Sequence, residues 1–364
     1  MTEPHADAPL NTAAGAAPAP LPAPQRRRRS FGTGCLVIAV AGACMGVLCL
    51  VAFVLLLAVA LVGAGAQGVS GGLRIEEVPL SGRAGARKVV IVPVHGVLMR
   101  GAGSMALRDP VETLKTMLES AEADPKVAAV LLEVDSPGGA ITACDVMYKQ
   151  IRDYRGRTGV PVVACMHDVA ASGGYYISCA ADRILAHRTT LTGSIGVVMP
   201  MVNASGLLET VGVSDRTIKS GRFKDMGSVL AAKTEEEWQE EARIFQSVVQ
   251  DMYERFVEVV ATGRGMTPER VRELADGRIY TSSQAFMHGL IDGLGYEDDA
   301  IRAAAELANV DDYEVVRYVR MRSLVETLLA GAESQPVGLS ALPGVLAAPR
   351  PMYLWCPQAT FGSP

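Results

Sequence analysis

The sequence predicts an α/β domain built on a mostly parallel sheet layered with helices, preceded by one N-terminal transmembrane helix. Three observations predict it: an uncharged apolar run near the N-terminus, unbroken apolar segments of strand length, and amphipathic helical stretches between them. The 364 residues suffice for one large domain with appendages. With 49% hydrophobic residues and a net charge of −5, the chain suits a globular protein and gives no sign of nucleic-acid binding.

Residues 1–34 begin with an Ala/Pro-rich stretch that lacks aromatics and ends in Arg26–Arg29, the composition of a disordered basic cytoplasmic tail. No charge follows until Arg74, and Cys35–Val62 is almost wholly apolar. As a helix this segment rises about 40 Å, enough to span a bilayer with some tilt. A cleaved signal peptide would have a shorter apolar core, and no Ala-x-Ala site with suitable flanks stands out. Basic residues favour the cytoplasmic side. The expected topology is therefore a single pass through the inner (cytoplasmic) membrane, with the N-terminus inside and everything after Gly63 extracytoplasmic.

Residues 63–86 are Gly/Ala/Ser-rich and read as a linker. From Arg87 strands and helices alternate. Lys88–Leu98 reads as a strand, and Asp109–Asp124 as an amphipathic helix with Val111, Leu114, Met117 and Leu118 on one stripe. Val127–Val134 is an apolar run of the kind buried on both faces, followed by DSPGG and a helix from about Ile141 to Tyr154. Val160–Met166 is a second buried strand. This order implies βαβ units and right-handed crossovers. Thr234–Glu237 is a capping box. It opens a long helix that carries Phe245, Val249, Met252, Phe256 and Val259 at core spacing, with Gly263 as the expected stop. Thr267 and Pro268 start a shorter helix. The domain is expected over residues 87–330. Residues 331–364 form a Pro-rich, apolar tail, and its Leu339–Trp355 stretch has the character of a peptide that adds a strand beside a groove.

Of seven cysteines, Cys35, Cys44 and Cys49 lie in the membrane segment. Cys144, Cys165, Cys179 and Cys356 fit no zinc spacing. The first three of these sit in apolar runs and read as small buried thiols rather than as a disulfide framework. No cofactor and no metal is expected.

Two Gly-bearing turns follow two buried strands: Asp135–Gly139, and Ala171–Gly174 with Ser172 in its midst. In an open parallel sheet both belong at the carboxyl edge, where sites form. Helices opening there present free N–H groups. One N–H from Gly138 and one from Gly173 are placed to converge on a developing oxyanion, with Gly139 the alternative to Gly138. Ser172 needs a base. His5 lies beyond the membrane segment and His288 far down the chain. His167 and His187 stay open, as do Lys219 and Lys224 of the Gly/Ser-rich loop Thr217–Ser228. A lysine with its ordinary pKa near 10.4 is protonated at neutral pH, so a lysine base has to be buried in the assembled site.

DSPGG, AASGGYYISCAADRILAHRTTLTGSIGVV and TIKSGRFKDMGS, in this order and spacing, resemble the signal peptide peptidase A family in its short, single-domain form. This is a group of serine peptidases in the Clp/crotonase superfamily whose relatives cleave phage-capsid and stomatin proteins. The resemblance runs over about Lys88–Leu307. It implies Ser172 as nucleophile, Lys224 as general base, Ser194 as the residue that hydrogen-bonds the lysine, and Gly138 with the Gly173 N–H as oxyanion hole. It also implies a homo-oligomeric ring on the membrane and apolar peptides, signal-peptide remnants among them, as substrates. His167, where a smaller residue is usual, keeps a His–Ser alternative in play. Three other readings compete: a stomatin-directed membrane protease, acyl-CoA chemistry on the same fold, which predicts carboxylates at the two turns, and a non-catalytic membrane scaffold, which predicts a decayed dyad.

Overall fold

The computed structural model describes residues 74–100 and 109–321, residues 45–46 and 48–53 nearer the N-terminus, and the backbone of 352–354. Contacts divide the chain into two units, Met1–Gly72 and Leu73–Pro364. Of the first unit, residues 45–46 and 48–53 are helical. The rest of the predicted Cys35–Val62 span, the predicted disordered tail and most of residues 331–364 lie outside the described residues. Among the described residues no helix is long and apolar enough to cross a membrane.

In chain order the second unit runs β1 (Ile75–Gly82), β2 (Arg87–His95), α1 (Pro110–Ala123), β3 (Val127–Ser136), β4 (Gly138–Ala140), α2 (Ile141–Thr158), β5 (Val162–Ala171) and α3 (Gly173–Ser178). There follow β6 (Arg183–Ala186), β7 (Leu191–Gly193), α4 (Ser205–Thr210), α5 (Glu235–Arg264), α6 (Pro268–Leu274), β8 (Ile279–Thr281) and α7 (Ser282–Met287). The described part ends with β9 (Gly293–Leu294), α8 (Glu297–Leu307), β10 (Tyr313–Arg320) and β11 (Met352–Leu354). The main sheet has the order β1-β10-β2-β3-β5-β6-β9, with β7 joined to β5 and β8 to β7. It is parallel from β10 to β9, while β1 and β8 pair antiparallel. The mostly parallel α/β fold that the sequence predicts is present.

β3 is central, and Val127–Val134 is buried along its whole length because helices cover both faces. Val130, Leu132 and Val134 join the larger core with α1, α2, α3 and the second half of α5. Ala129 and Leu131 face the other way and pack with Ala300, Ala303 and Ala304 of α8. Asp109 caps α1 by accepting from the Val111 and Glu112 N–H groups, and the Thr234 capping box opens α5.

Several local expectations need correction. Within the stretch read as linker, Ile75–Gly82 forms the edge strand β1 against β10. Its residues are almost all exposed, so no apolar alternation announced it. α5 does not stop at Gly263 but runs to Arg264 and ends on Gly265, which has φ 63°. Gly263 is instead a contact point, since a Cβ there would lie 2.5 Å from the Cys179 carbonyl oxygen. Only the second half of the α5 stripe is core: Phe256, Val257, Val259 and Val260 are buried, whereas Phe245 and Val249 are partly exposed. The DSPGG turn does not lead directly into a helix. Gly138–Ala140 first forms β4, which pairs antiparallel with Met352–Leu354 of the tail.

Candidate active site

The site begins where β5 ends. Residues Val169, Ala170 and Ala171 of β5 pair in parallel with Leu191, Thr192 and Gly193 of β7. The next residue on each strand is a serine, Ser172 and Ser194, and both take a positive φ, 53° and 50°. A non-glycine residue held there carries strain of order 1–3 kcal/mol and persists only when its surroundings impose it. Here Ser172 donates its N–H to the Gly193 carbonyl at 2.7 Å and accepts from the Tyr176 N–H at 2.8 Å. Ser194 donates its N–H to the Arg278 carbonyl at 2.8 Å. The helix behind Ser172 is anchored by Tyr175 Oη, which donates to the Leu290 carbonyl, and by Tyr176 Oη, which donates to Asp145. Ser172 and Ser194 are both buried, and the Ser172 hydroxyl has no hydrogen-bond partner among the described residues.

The two glycine turns come together as expected. A Cβ on Gly173 would lie 2.9 Å from the Gly138 Cα, 3.2 Å from the Gly139 nitrogen and 2.4 Å from Cys144 Sγ, so only glycine fits. A Cβ on Gly174 would strike the Ser136 carbonyl oxygen at 2.5 Å. Gly138 has φ 98° and donates its N–H to Ser136 Oγ at 3.1 Å, while Ser136 Oγ donates to the Gly96 carbonyl at 2.6 Å. Leu98 bonds the Gly138 carbonyl and the Ala140 N–H from one side. By strand alternation the Gly139 N–H and carbonyl face the opposite edge, the one on which Tyr353 is the paired residue. Burial pushes the Cys179 thiol, beneath the same helix, up to about 12, and Cys144 and Cys165 are shifted the same way for the same reason. All three are free and buried, as their apolar settings predict.

Lys224 is not buried in this chain. It sits in the turn Gly221–Gly227, exposed, with its N–H donated to the Gly221 carbonyl and its ammonium unpaired among the described residues. Lys219 pairs instead with Asp225 at 2.8 Å. Lys233 and Glu241 form a buried pair that pins the far end of the loop. Exposed apolar side chains precede Lys224 in sequence: Val202, Leu207, Val211, Val213, Ile218 and Phe223. Ile218 is fully exposed. The two histidine alternatives point elsewhere. The His167 and His187 rings face each other with centroids 4.5 Å apart, and neither bonds Ser172 among the described residues.

The model of Peptidase family S49 matches residues 155–311, which include Ser172, Ser194 and Lys224 but not Gly138. A relative from Enterococcus faecium named signal peptide peptidase SppA is 40% identical over 251 residues, 68% of this chain and 72% of that protein. The chain belongs to peptidase family S49. Two longer relatives agree: the S49 chain is 34% identical over 257 residues to the chloroplastic serine protease SPPA of Arabidopsis thaliana, covering 70% of this chain and 37% of that protein. It is 35% identical over 207 residues to Protease 4 of Salmonella typhi, covering 57% of this chain and 32% of that protein. Its family and relatives make this S49 chain a serine protease.

Proposed function

We propose that the chain is a membrane-anchored serine endopeptidase that cuts signal-peptide remnants and similar apolar segments by a Ser172–Lys224 dyad. The observation that carries this reading is Ser172 itself: a strained, buried serine at the carboxyl end of a central strand, with Gly138 and Gly173 touching beside it. Its hydroxyl attacks the scissile carbonyl while Lys224 takes the proton, and the acyl-enzyme is then hydrolysed by water. Ser194, one strand over, holds and relays the lysine's proton. Backbone N–H groups of Gly173 and Gly139 stabilise the oxyanion, because the N–H of Gly138, the first choice from the sequence, is donated to Ser136 Oγ.

The exposed setting of Lys224 fits a site completed only on assembly. A lysine must leave water to act as a base at neutral pH. The exposed apolar side chains of the segment that leads into it are of the kind that a partner covers, and a second copy of the chain or an apolar substrate would remove both from solvent together. A homo-oligomeric ring is one assembly that meets that requirement. The anchor is Cys35–Val62, and Arg26–Arg29 hold the N-terminus inside and the peptidase outside the inner membrane. A site close to the bilayer suits apolar substrates.

The test is cleavage of an unstructured apolar peptide by the full-length protein in detergent. Wild type should cut it, and Ser172→Ala and Lys224→Ala should not. Activity that survives Ser172→Ala removes the serine from the chemistry. Protease added outside intact spheroplasts should reach the peptidase and spare the first 25 residues, and the opposite pattern overturns the topology.

A further inference from the structure

On the face of the sheet covered by α8, side chains that the peptidase chemistry leaves unused gather on β3, on the middle of β5 and just past the end of β6. Glu133 of β3 pairs with Cys165 of β5, so the two lie on one face, His167 follows at the next position on that face, and His187 directly follows β6. Cys165 packs in the α8-side core with Leu131, Leu185 and Ala300. Its Sγ lies 3.8 Å from His187 Nε2. One donor atom each from Cys165, His167 and His187 fall within 4.8 Å of one another. The same limit holds for Glu133, His167 and Glu297. His167 Nε2 is 3.8 Å from Glu133 Oε1 and 3.9 Å from Glu297 Oε2.

Two of these atoms lack what burial demands. His167 Nε2 and Glu133 Oε2 are shielded from water and make no hydrogen bond among the described residues. Glu133 is only 6% exposed. A buried polar atom without a partner costs about 1–3 kcal/mol. The carboxylates already have a counter-charge: Arg317 Nη2 lies 2.9 Å from Glu297 Oε2 and 3.4 Å from Glu133 Oε2. The sulfur and the His187 imidazole have none, and His167 has only the two carboxylate oxygens nearly 4 Å away.

We propose that Cys165, His167 and His187 form a three-ligand zinc site, with the fourth position left to water. One thiolate and two imidazoles are a donor set that zinc favours. Zn–S and Zn–N bonds of roughly 2.3 and 2.1 Å at a tetrahedral angle place sulfur and nitrogen about 3.6 Å apart. Cys165 and His187 already stand near that separation, and His167 closes on them by a side-chain rotation. On binding, the Cys165 proton leaves to solvent and the thiolate binds the metal. Glu133, beside His167, orients its ring as an outer partner. His187 and His167 are partly exposed, which gives the ion a way in. The bound ion would tie β5 to the end of β6 five residues before Ser172.

The experiment is a cobalt(II) titration of the full-length protein in detergent after chelator treatment, followed by zinc competition. One equivalent of cobalt should bind with a thiolate-to-cobalt charge-transfer absorption that zinc abolishes, and zinc should raise Tm. Cys165→Ala should lose the absorption although the six other cysteines remain. Glu133→Gln should weaken binding about tenfold, the usual effect of losing an outer partner. His187→Gln, at a partly exposed position that folding tolerates, should weaken it further and serves as the second variant if Cys165→Ala unfolds. No cobalt bound at micromolar concentration, or an absorption retained in Cys165→Ala, overturns the proposal. So does binding without the absorption that is lost in Glu297→Gln, which would assign the ion to the carboxylates.

Discussion

Ser172 and Ser194 leave two hydrogen-bonded parallel strands at the same level, each with a positive φ, and the Ser172 N–H is bonded to the carbonyl of Gly193, the residue before Ser194. The proposed nucleophile and its neighbouring serine are therefore set by one piece of sheet register. Ser194→Ala should leave this backbone intact, slow peptide cleavage about a hundredfold, the low end of the range for one proton-transfer partner, and leave Tm nearly unchanged. A rate equal to wild type would remove Ser194 from the proton path.

The dyad makes a non-additive prediction. Ser172→Ala and Lys224→Ala should each lower kcat at least a thousandfold, roughly as for other residues that act as one unit, and the double variant should be little worse than either. Full activity in Lys224→Ala would eliminate the lysine as base.

Gly173 tests the meeting of the two turns. An added methyl would press on Cys144 Sγ and on the Gly138 backbone. Gly173→Ala should cost about 1–3 kcal/mol of stability by overpacking. It should also lower kcat by roughly a hundredfold as the oxyanion donors are spread apart. Gly156→Ala, inside α2 with nothing within 4 Å of the new Cβ, is the contrast. It should stabilise the protein by about 0.5–1 kcal/mol and leave the kinetics alone.

Acid stability should depend on Asp292. Burial alone raises its pKa, but two hydrogen bonds from Arg264, one of them 2.6 Å, and one from the Ile184 N–H outweigh this and hold it below the usual carboxylate range. With the folded pKa below the unfolded value near 3.9, the stabilisation is fully present above that value. It is lost as pH falls through the folded pKa. Asp292→Asn should therefore lower stability at neutral pH by about 2 kcal/mol, less than for a fully buried pair because Asp292 is one-third exposed. Below about pH 4 the two proteins should converge in Tm, and curves that stay parallel down to pH 2 would sink the assignment.

The tail strand Met352–Leu354 pairs with Gly138–Ala140, the edge beside Ser172 along which an extended substrate would lie. A tethered strand there competes at high effective concentration. Truncation after Ser334 should lower KM for an apolar peptide severalfold in detergent with kcat roughly kept. Unchanged kinetics in a truncated protein of unchanged oligomeric state would mean that the tail does not compete.

Much of this protein was legible in one dimension. Val127–Val134 and Val160–Met166 are apolar without interruption because both faces of a central parallel strand are covered, and that burial is written locally. Asp109, Thr234 and Thr267 marked helix starts because a cap is a bond between near neighbours. The glycines around Ser172 announced close backbone approach. Tertiary structure alone decided what rests on pairing between distant residues. β1 has no apolar face of its own and is a strand only because β10 accepts it. Gly263 looked like a helix stop because its true constraint, the Cys179 carbonyl, lies 84 residues away in sequence (263 − 179). Lys224 is a loop lysine whose burial depends on what covers its face. Glu133, Cys165, His167 and His187 fit no spacing rule because sheet order, not sequence distance, brings β3, β5 and β6 side by side.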